Sequence, residues 1–330
     1  MNELVIIEKL SSIDYACSIL FDMKKRSDKI PVLAIVGPTA VGKSALALSL
    51  AEERGYEIIS CDSRQIYKGM DIGTAKPLRA EQVRVKHHLI DICTPHERYS
   101  SSDFVRDAGA VIRTLHAQGK RAVICGGTGL YYQALSLGLA PAPGTDAAIR
   151  RELELRVDKG DFAGLYAELM RIDPVTAARS HAANVQRNIR QLEIFYTTGI
   201  IPSQLKKNRQ PPADIDFFPV VIELGRAELY QRINARVDAM MAAGLQEEFL
   251  ALRRSGIKID APGLTCVGYK ELCAVENGLA LTAAVALIKQ NSRHYAKRQL
   301  TWFNHQLPAG TLRCGPDYAE FIKLVPAGFD

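Results

Sequence analysis

The run Gly37-Pro38-Thr39-Ala40-Val41-Gly42-Lys43-Ser44 matches the pattern GxxxxGK[ST]. Its glycines let the backbone wrap so that N–H groups point inward, where they hydrogen-bond phosphate oxygens. Lys43 adds a point charge, and the Ser44 hydroxyl can ligate Mg²⁺. The apolar run before the loop, residues 31–36, reads as a buried parallel strand. Residues 43–54 have helical periodicity, and Gly55 is a stop. A strand before and a helix after distinguish a phosphate-binding loop from a glycine-rich turn. The loop alone does not say what becomes of the phosphate.

A second chemical residue stands nearby. Asp62-Ser63 follows the next expected strand, residues 56–60. In an open parallel sheet, ligands bind outside the carboxyl ends of the strands, so Asp62 is within reach of whatever the loop holds. It can approach Mg²⁺ through water, act as a general base, or simply cap the strand. No clear hydrophobic run ends in a second acidic residue beside the loop. The strand expected at 121–125 runs instead into Gly126-Gly127-Thr128, which departs from a typical ATPase arrangement. Cys61 reads as a small buried residue rather than a nucleophile.

The elements that must carry these residues alternate. A third strand is expected at 87–92. A helix capped by Ser101 or Ser102 follows, with Phe104, Ala108, Val111 and Leu115 on one face and Gly119 at its end. Alternation of strands and helices implies a parallel sheet covered on both faces. The rhythm breaks near Pro141-Ala142-Pro143-Gly144. Residues 145–200 read as helices only, and 202–212 as a polar stretch containing proline. One more strand is expected at 217–224, with helices from 226 to about 255 and from about 281 to 304. The simplest organisation is an α/β core, 31–140 and 217–330, interrupted by a helical insertion at 141–216. Residues 1–30 form an N-terminal extension with no assigned role.

A chain of 330 residues has room for two domains. Its 47% hydrophobic and 24% charged residues are ordinary globular values, which exclude a largely disordered chain. No apolar run approaches the roughly 18–20 residues of a membrane span. Glu3, Glu8, Asp14 and Asp22 argue against a leader peptide. The seven cysteines are scattered and never spaced CxxC, which favours a reducing cytoplasm over a disulfide or zinc scaffold. The net charge of +6 is concentrated. Residues 186–210 hold five cations (Arg187, Arg190, Lys206, Lys207, Arg209) against Glu193 alone. Residues 289–300 hold Lys289, Arg293, Lys297 and Arg298 with no acid. Two such stretches fit a polyanion, the plain alternative being solvated helix faces.

Several segments together resemble the tRNA dimethylallyltransferase family. They are GPTAVGKS (37–44), DSRQIYKGMDIGTAKP (62–77), HHLIDI (87–92), YSSSDFVRDA (99–108), GGTGLYYQAL (126–135), VQRNIRQLEIF (185–195), CVGYKEL (266–272) and AKRQLTWF (296–303). They occur in the family's order and at its spacing from about residue 31 to 304. The resemblance implies a P-loop NTPase-like core with an inserted all-helical domain. It also implies transfer of a dimethylallyl group from its diphosphate to N6 of adenosine 37 in tRNA. Gly37 to Ser44 would hold the donor diphosphate with Mg²⁺, assisted by Arg226. Asp62 would be the base, with Lys43 and Thr39 beside it in catalysis. Contacts to tRNA would come from Asp62, Ser63, Arg64 and Gln65, from Thr128 and Arg150, and from Gln186, Arg187, Asn188, Ile189 and Arg190. Further contacts would be Thr265, Cys266, Val267, Gly268, Tyr269 and Lys270, then Lys297, Arg298, Gln299, Leu300, Thr301, Trp302, Phe303 and Asn304. Departures from the family's common residues are Arg64 for methionine, Thr265 and Lys270 for arginines, and Asn304. The implied partners are the tRNA anticodon stem-loop and dimethylallyl diphosphate, with no membrane and no obligate protein partner, for a monomer in the cytoplasm.

The chemistry is consistent with those roles. An adenine amine is a poor nucleophile, whereas an allylic carbon becomes a good electrophile as diphosphate leaves. The loop, Lys43 and Mg²⁺ would stabilise the departing charge while Asp62 takes the amine proton. The base must leave its stack to react, and Tyr67, Tyr131 and Tyr132 are candidates to line its pocket or to pack the core. The competing expectations are an isopentenyltransferase acting on free AMP, ADP or ATP, a small-molecule kinase with the same loop, and a non-catalytic RNA-binding module.

Overall fold

The computed structural model describes residues 29–140, 144, 146–205, 209–326 and 329. Residues 1–28, the Pro141-Ala142-Pro143 break, and Lys206 and Lys207 of the first cationic stretch lie outside the described residues.

The first half alternates as expected. Strand β1 (Ile30–Val36) enters the glycine loop, and helix α1 (Lys43–Arg54) leaves it. Gly55, at φ +68°, ends α1 in the left-handed conformation that glycine adopts at least cost. Then come β2 (Glu57–Ser60), α2 (Arg79–Arg84), β3 (His87–His88), α3 (Ser101–Ala117), β4 (Ala122–Gly126) and α4 (Gly129–Leu137). Two local expectations are corrected. The strand expected at 87–92 stops after His88, because Leu89 and Asp91 take positive φ (61° and 55°) and turn the chain. The cap of α3 is Ser100, not Ser101 or Ser102. Its hydroxyl accepts from the Asp103 N–H while Asp103 reaches back to the Ser100 N–H, a reciprocal capping box.

The core resumes with β5 (Ile215–Ile222). The helical stretch from 226 is two helices, α10 (Arg226–Ala242) and α11 (Leu245–Arg254), broken at Gly244 with φ +96°. A 3-10 turn (Pro262–Thr265), α12 (Tyr269–Glu276), the long α13 (Leu281–Gln306), β6 (Leu312–Cys314) and α14 (Tyr318–Phe321) complete it. The helices α5 to α9 between the two halves are given below.

The sheet order is β3-β2-β4-β1-β5-β6, and every pair is parallel. Alternation along the strands feeds two cores. Leu33, Ile35, Val123 and Ile222 face α1 and α10, through Leu46, Leu50, Leu229 and Ile233. Val32, Ala34, Val36 and Ile124 face α3 and α4, through Phe104, Ile112, Tyr132 and Leu135. A further cluster of Ile66, Met70, Phe249, Leu264, Tyr269 and Leu272 backs the segment that follows Asp62.

The chain divides into two compact units, one running to Ser136 and resuming at Ala213, the other Leu137–Pro212. The second unit is helical: α5 (Ala147–Asp158), α6 (Phe162–Ile172), α7 (Pro174–Ala177), α8 (Val185–Thr198) and α9 (Pro202–Leu205). Leu153, Leu165, Leu169, Ile189 and Leu192 form its core. Among the described residues, no helix is long and apolar enough to cross a membrane.

Candidate active site

The loop from Gly37 to Ser44 owes its shape to three unusual backbone positions. Gly37 (φ +145°) passes so close to the Ile222 carbonyl that any side chain would collide. Gly42 (φ +110°) precedes the first turn of α1. Ala40 holds φ +63° despite its Cβ, a strain of about 1 kcal/mol that the loop sustains. The buried Lys43 Nζ donates to the Pro38 carbonyl at 2.6 Å. Burial pulls its pKa down to about 8, Cys125 opposing and Arg236 assisting that shift. Ser44 is exposed at the start of α1.

Asp62 leaves the end of β2, and its Oδ1 accepts from the Arg64 N–H at 2.8 Å. Two clefts meet beside it. The first, of about 340 Å³, is lined by the phosphate loop with Ser60, Gln65, Arg232 and Arg236. The second, of about 310 Å³, is lined by Ser63, Arg64, Thr265 to Gly268, Lys270 and Arg298. Both are large enough for a small-molecule group. Thr39, Ala40, Asp62, Thr74, Arg236 and Tyr295 line both, so they stand where the two clefts join. One cleft is thus lined by the glycine loop with Lys43, Arg232 and Arg236, the other is rimmed by Arg64, Lys270 and Arg298, and Asp62 lines both.

Several expected roles change in detail. Arg226 lines neither cleft; it stands at the exposed start of α10 with its guanidinium 5.3 Å from the Tyr230 ring. One and a half to three turns on, Arg232 and Arg236 reach the first cleft, and Arg236 Nη1 lies 3.5 Å from Thr39 Oγ1. Gln65 faces the first cleft, donating to the Ala75 carbonyl at 3.0 Å and accepting from Ser60 at 2.8 Å. Thr128 lines neither cleft; its Oγ1 accepts from the Ser63 N–H at 3.0 Å and so steadies the chain beside Asp62. Tyr67, Tyr131 and Tyr132 are all buried core residues. The aromatic side chain at the junction is Tyr295, which hydrogen-bonds Thr128. The spacing Arg232-x-x-x-Arg236 on an expected helix was a readable signal for those arginines. Tyr295 carried none.

The segments expected to meet tRNA are mixed. Tyr269 and Phe303 are buried, Tyr269 donating to Glu248 at 2.5 Å, so neither side chain is an outward contact. Leu300 packs against the core beneath α1, and Trp302 lies against Gly129. Gln299 is buried between the phosphate loop and Gly127. Lys297, Arg298, Thr301 and Asn304 remain exposed, Asn304 accepting from Arg313 at 2.8 Å. Within the helical unit, Gln186 and Arg187 are exposed, while Asn188 and Ile189 are buried, Asn188 donating to the His181 carbonyl at 2.9 Å. Fully buried Glu193 pairs with Arg190 at 3.1 Å and Arg150 at 3.6 Å, and Arg150 also donates to Gln186 at 2.5 Å.

No group of three or more His, Cys, Asp or Glu among the described residues is arranged to hold a metal ion. Ser44 and Asp62, which both line the first cleft, nevertheless suit Mg²⁺, which keeps several waters and takes substrate phosphates as ligands.

Comparison with known proteins agrees with this geometry. A family model described as IPP transferase matches residues 65–306, and one described as isopentenyl transferase matches residues 30–97. The chain is 46% identical to tRNA dimethylallyltransferase 1 of Trichlorobacter lovleyi, over 90% of this chain and 98% of that one. It is 44% identical to tRNA dimethylallyltransferase of Geobacter sulfurreducens, over 83% and 89%. Among solved structures it resembles full-length tRNA isopentenylpyrophosphate transferase of Bacillus halodurans, with a TM-score of 0.64 and 39% identity over 89% of this chain and 94% of that one. A eukaryotic dimethylallyltransferase acting on tRNA superposes with a TM-score of 0.76 at 26% identity, over 91% of this chain and 77% of that one. A family model that matches residues 65–306, together with a relative 46% identical over 90% of the chain, makes this chain a member of the IPP transferase family.

Proposed function

We propose that the protein transfers the dimethylallyl group of dimethylallyl diphosphate to N6 of adenosine 37 in tRNA, giving N6-isopentenyladenosine. The observation that carries this reading is the junction: Asp62 lines both the phosphate-loop cleft and the cation-rimmed cleft. The donor's diphosphate sits in the first cleft against the inward N–H groups of the loop, Lys43 and Arg236. Ser44 would hold Mg²⁺ beside the diphosphate, and the ion would supply charge neutralisation for the leaving group. The adenine enters the second cleft unstacked, and its amine faces the allylic carbon across the junction. As the C–N bond forms and the C–O bond breaks, Asp62 accepts the amine proton. A positioned base of this kind contributes on the order of 10²–10⁴-fold. Filling of the junction by the two substrates keeps water from the cation-like carbon. The exposed cations Lys270, Lys297 and Arg298, with half-buried Arg64 beside them, meet the RNA backbone, a surface that a free nucleotide does not need. The helical unit adds Arg187 and its Glu193-anchored arginines to the same partner, and the protein acts in the cytoplasm, where its tRNA is.

The test is transfer from labelled dimethylallyl diphosphate with Mg²⁺, offering unmodified tRNA and free AMP side by side. Label on tRNA at adenosine 37 supports the reading. Label on AMP would move the acceptor to a free nucleotide, and label on neither would remove the transferase reading.

A further inference from the structure

Gln299 stands on α13 between two loops that end neighbouring strands. Its Oε1 accepts from the Thr39 N–H at 2.8 Å, and its Nε2 donates to the Gly127 carbonyl at 2.8 Å. A backbone N–H only donates and a carbonyl only accepts, so these partners fix the orientation of the amide. The side chain is buried and lines the phosphate-loop cleft. A Cβ at position 127 would collide with Gln299, and one at position 129 would collide with Trp302, which follows Gln299 by three residues. One face of the helix is therefore fitted to the Gly127–Gly129 turn, while Lys297, Arg298 and Thr301 face solvent.

The bonds continue beyond that turn. Thr128 N–H donates to the Cys61 carbonyl at 3.2 Å, and Thr128 Oγ1 accepts from Ser63 N–H at 3.0 Å. These contacts bracket Asp62. An unbroken series thus runs from the phosphate loop through Gln299 to the turn after β4 and on to the backbone that carries the carboxylate.

We propose that Gln299 is a positioning residue of the transfer reaction rather than an RNA contact: its buried amide sets the phosphate loop at a fixed distance from the loop that carries Asp62. This rests on the transferase reading for its kinetic arm and is independent of it for its binding arm. Alignment of leaving group, carbon and amine depends on that distance, and a misplacement of about 1 Å costs roughly 10²-fold in rate. The segment around Gln299 reads as RNA-contacting because its neighbours are cationic, yet this side chain points the other way.

The experiment compares wild type with Gln299→Leu, which lacks both hydrogen bonds, and Gln299→Glu, which keeps the acceptor for Thr39 but loses the donor to Gly127. Turnover is measured against tRNA concentration. Inorganic diphosphate with Mg²⁺ is titrated separately, using the emission of Trp302, the chain's single tryptophan. The expected result is kcat lower by about 10- to 100-fold in both variants, tRNA KM within about twofold, and weaker diphosphate binding. A raised tRNA KM with unchanged kcat would make Gln299 the RNA contact that the resemblance implies and overturn the proposal. Wild-type kcat and diphosphate affinity in both variants would overturn it equally. Should Gln299→Leu fail to fold, Gln299→Glu decides by the same criteria. If the wild type binds diphosphate but transfers nothing to tRNA, the transferase reading fails, and the diphosphate arm alone decides whether Gln299 sets the loop.

Discussion

Lys43 keeps its charge in a nearly dry setting, and that sets a pH limit on donor binding. Burial holds its pKa near 8 in the free protein, with the Cys125 interaction opposing and Arg236 assisting. Below that pH the ammonium is present, and above it the neutral amine no longer attracts diphosphate. Diphosphate affinity should therefore fall as pH rises through about 8, relative to Lys43→Arg, whose guanidinium stays charged there; calorimetric titration between pH 6.5 and 9.5 reads the difference. A parallel pH dependence in both proteins would show that Lys43 does not titrate there. The arginines give a second prediction at this scale. Arg236→Ala should weaken diphosphate binding by about 10- to 100-fold, the worth of a charge-assisted hydrogen bond, while Arg226→Ala should leave it unchanged. Equal losses would return Arg226 to the site. The phosphate loop and Asp62 were legible in the sequence because their chemistry is local. Arg236 was signalled only by its spacing from Arg232 and Tyr295 by nothing, because what qualifies them is a helix rotation and a crossing that no short pattern records.

The segment after Asp62 has little regular structure of its own, so other elements must hold it. Glu248, on α11, accepts from the N–H groups of Asp71 (2.8 Å), Ile72 (2.8 Å) and Gly73 (3.1 Å), and from the Tyr269 hydroxyl. Buried Lys76 ties Asp71 to Asp91 from the other side. Glu248→Ala should destabilise the protein by about 2–3 kcal/mol, read as a lower urea midpoint, because three backbone donors and a buried hydroxyl lose one acceptor. It should also lower kcat, since Gly73 and Thr74 line the clefts. An unchanged midpoint would mean that the segment supports itself. The strongly periodic elements were legible almost to the residue: α1 begins at Lys43 and ends at Arg54 as read, and β1, β4 and α13 move by one or two positions. The misses have physical causes. β6 has three residues, too few for a period, and the HHLIDI run reads as a strand until the positive φ values of Leu89 and Asp91 turn it.

Both units present exposed cations, Arg187 in the helical unit and Lys297 in the core. If each meets an RNA phosphate, tRNA affinity should fall with the logarithm of salt concentration. Arg187→Ala and Lys297→Ala should each lower that slope by about 1, and the pair should add. A slope that neither substitution changes would place the RNA elsewhere. Along the sequence the alternation of strand and helix stops and later resumes, which sets the expected insertion at 141–216, whereas the second compact unit is Leu137–Pro212; the two clefts leave no such trace, since their walls come from segments as distant as residues 39 and 299. At the junction of those clefts stands Asp62, and single-turnover transfer of labelled dimethylallyl to tRNA by Asp62→Asn tests its role most directly. The predicted result is a rate lower by about 10²–10⁴-fold, with label still confined to adenosine 37 and diphosphate affinity within about threefold of wild type. Transfer at the wild-type rate would contradict it, because the carboxylate where the clefts meet would then not be the base.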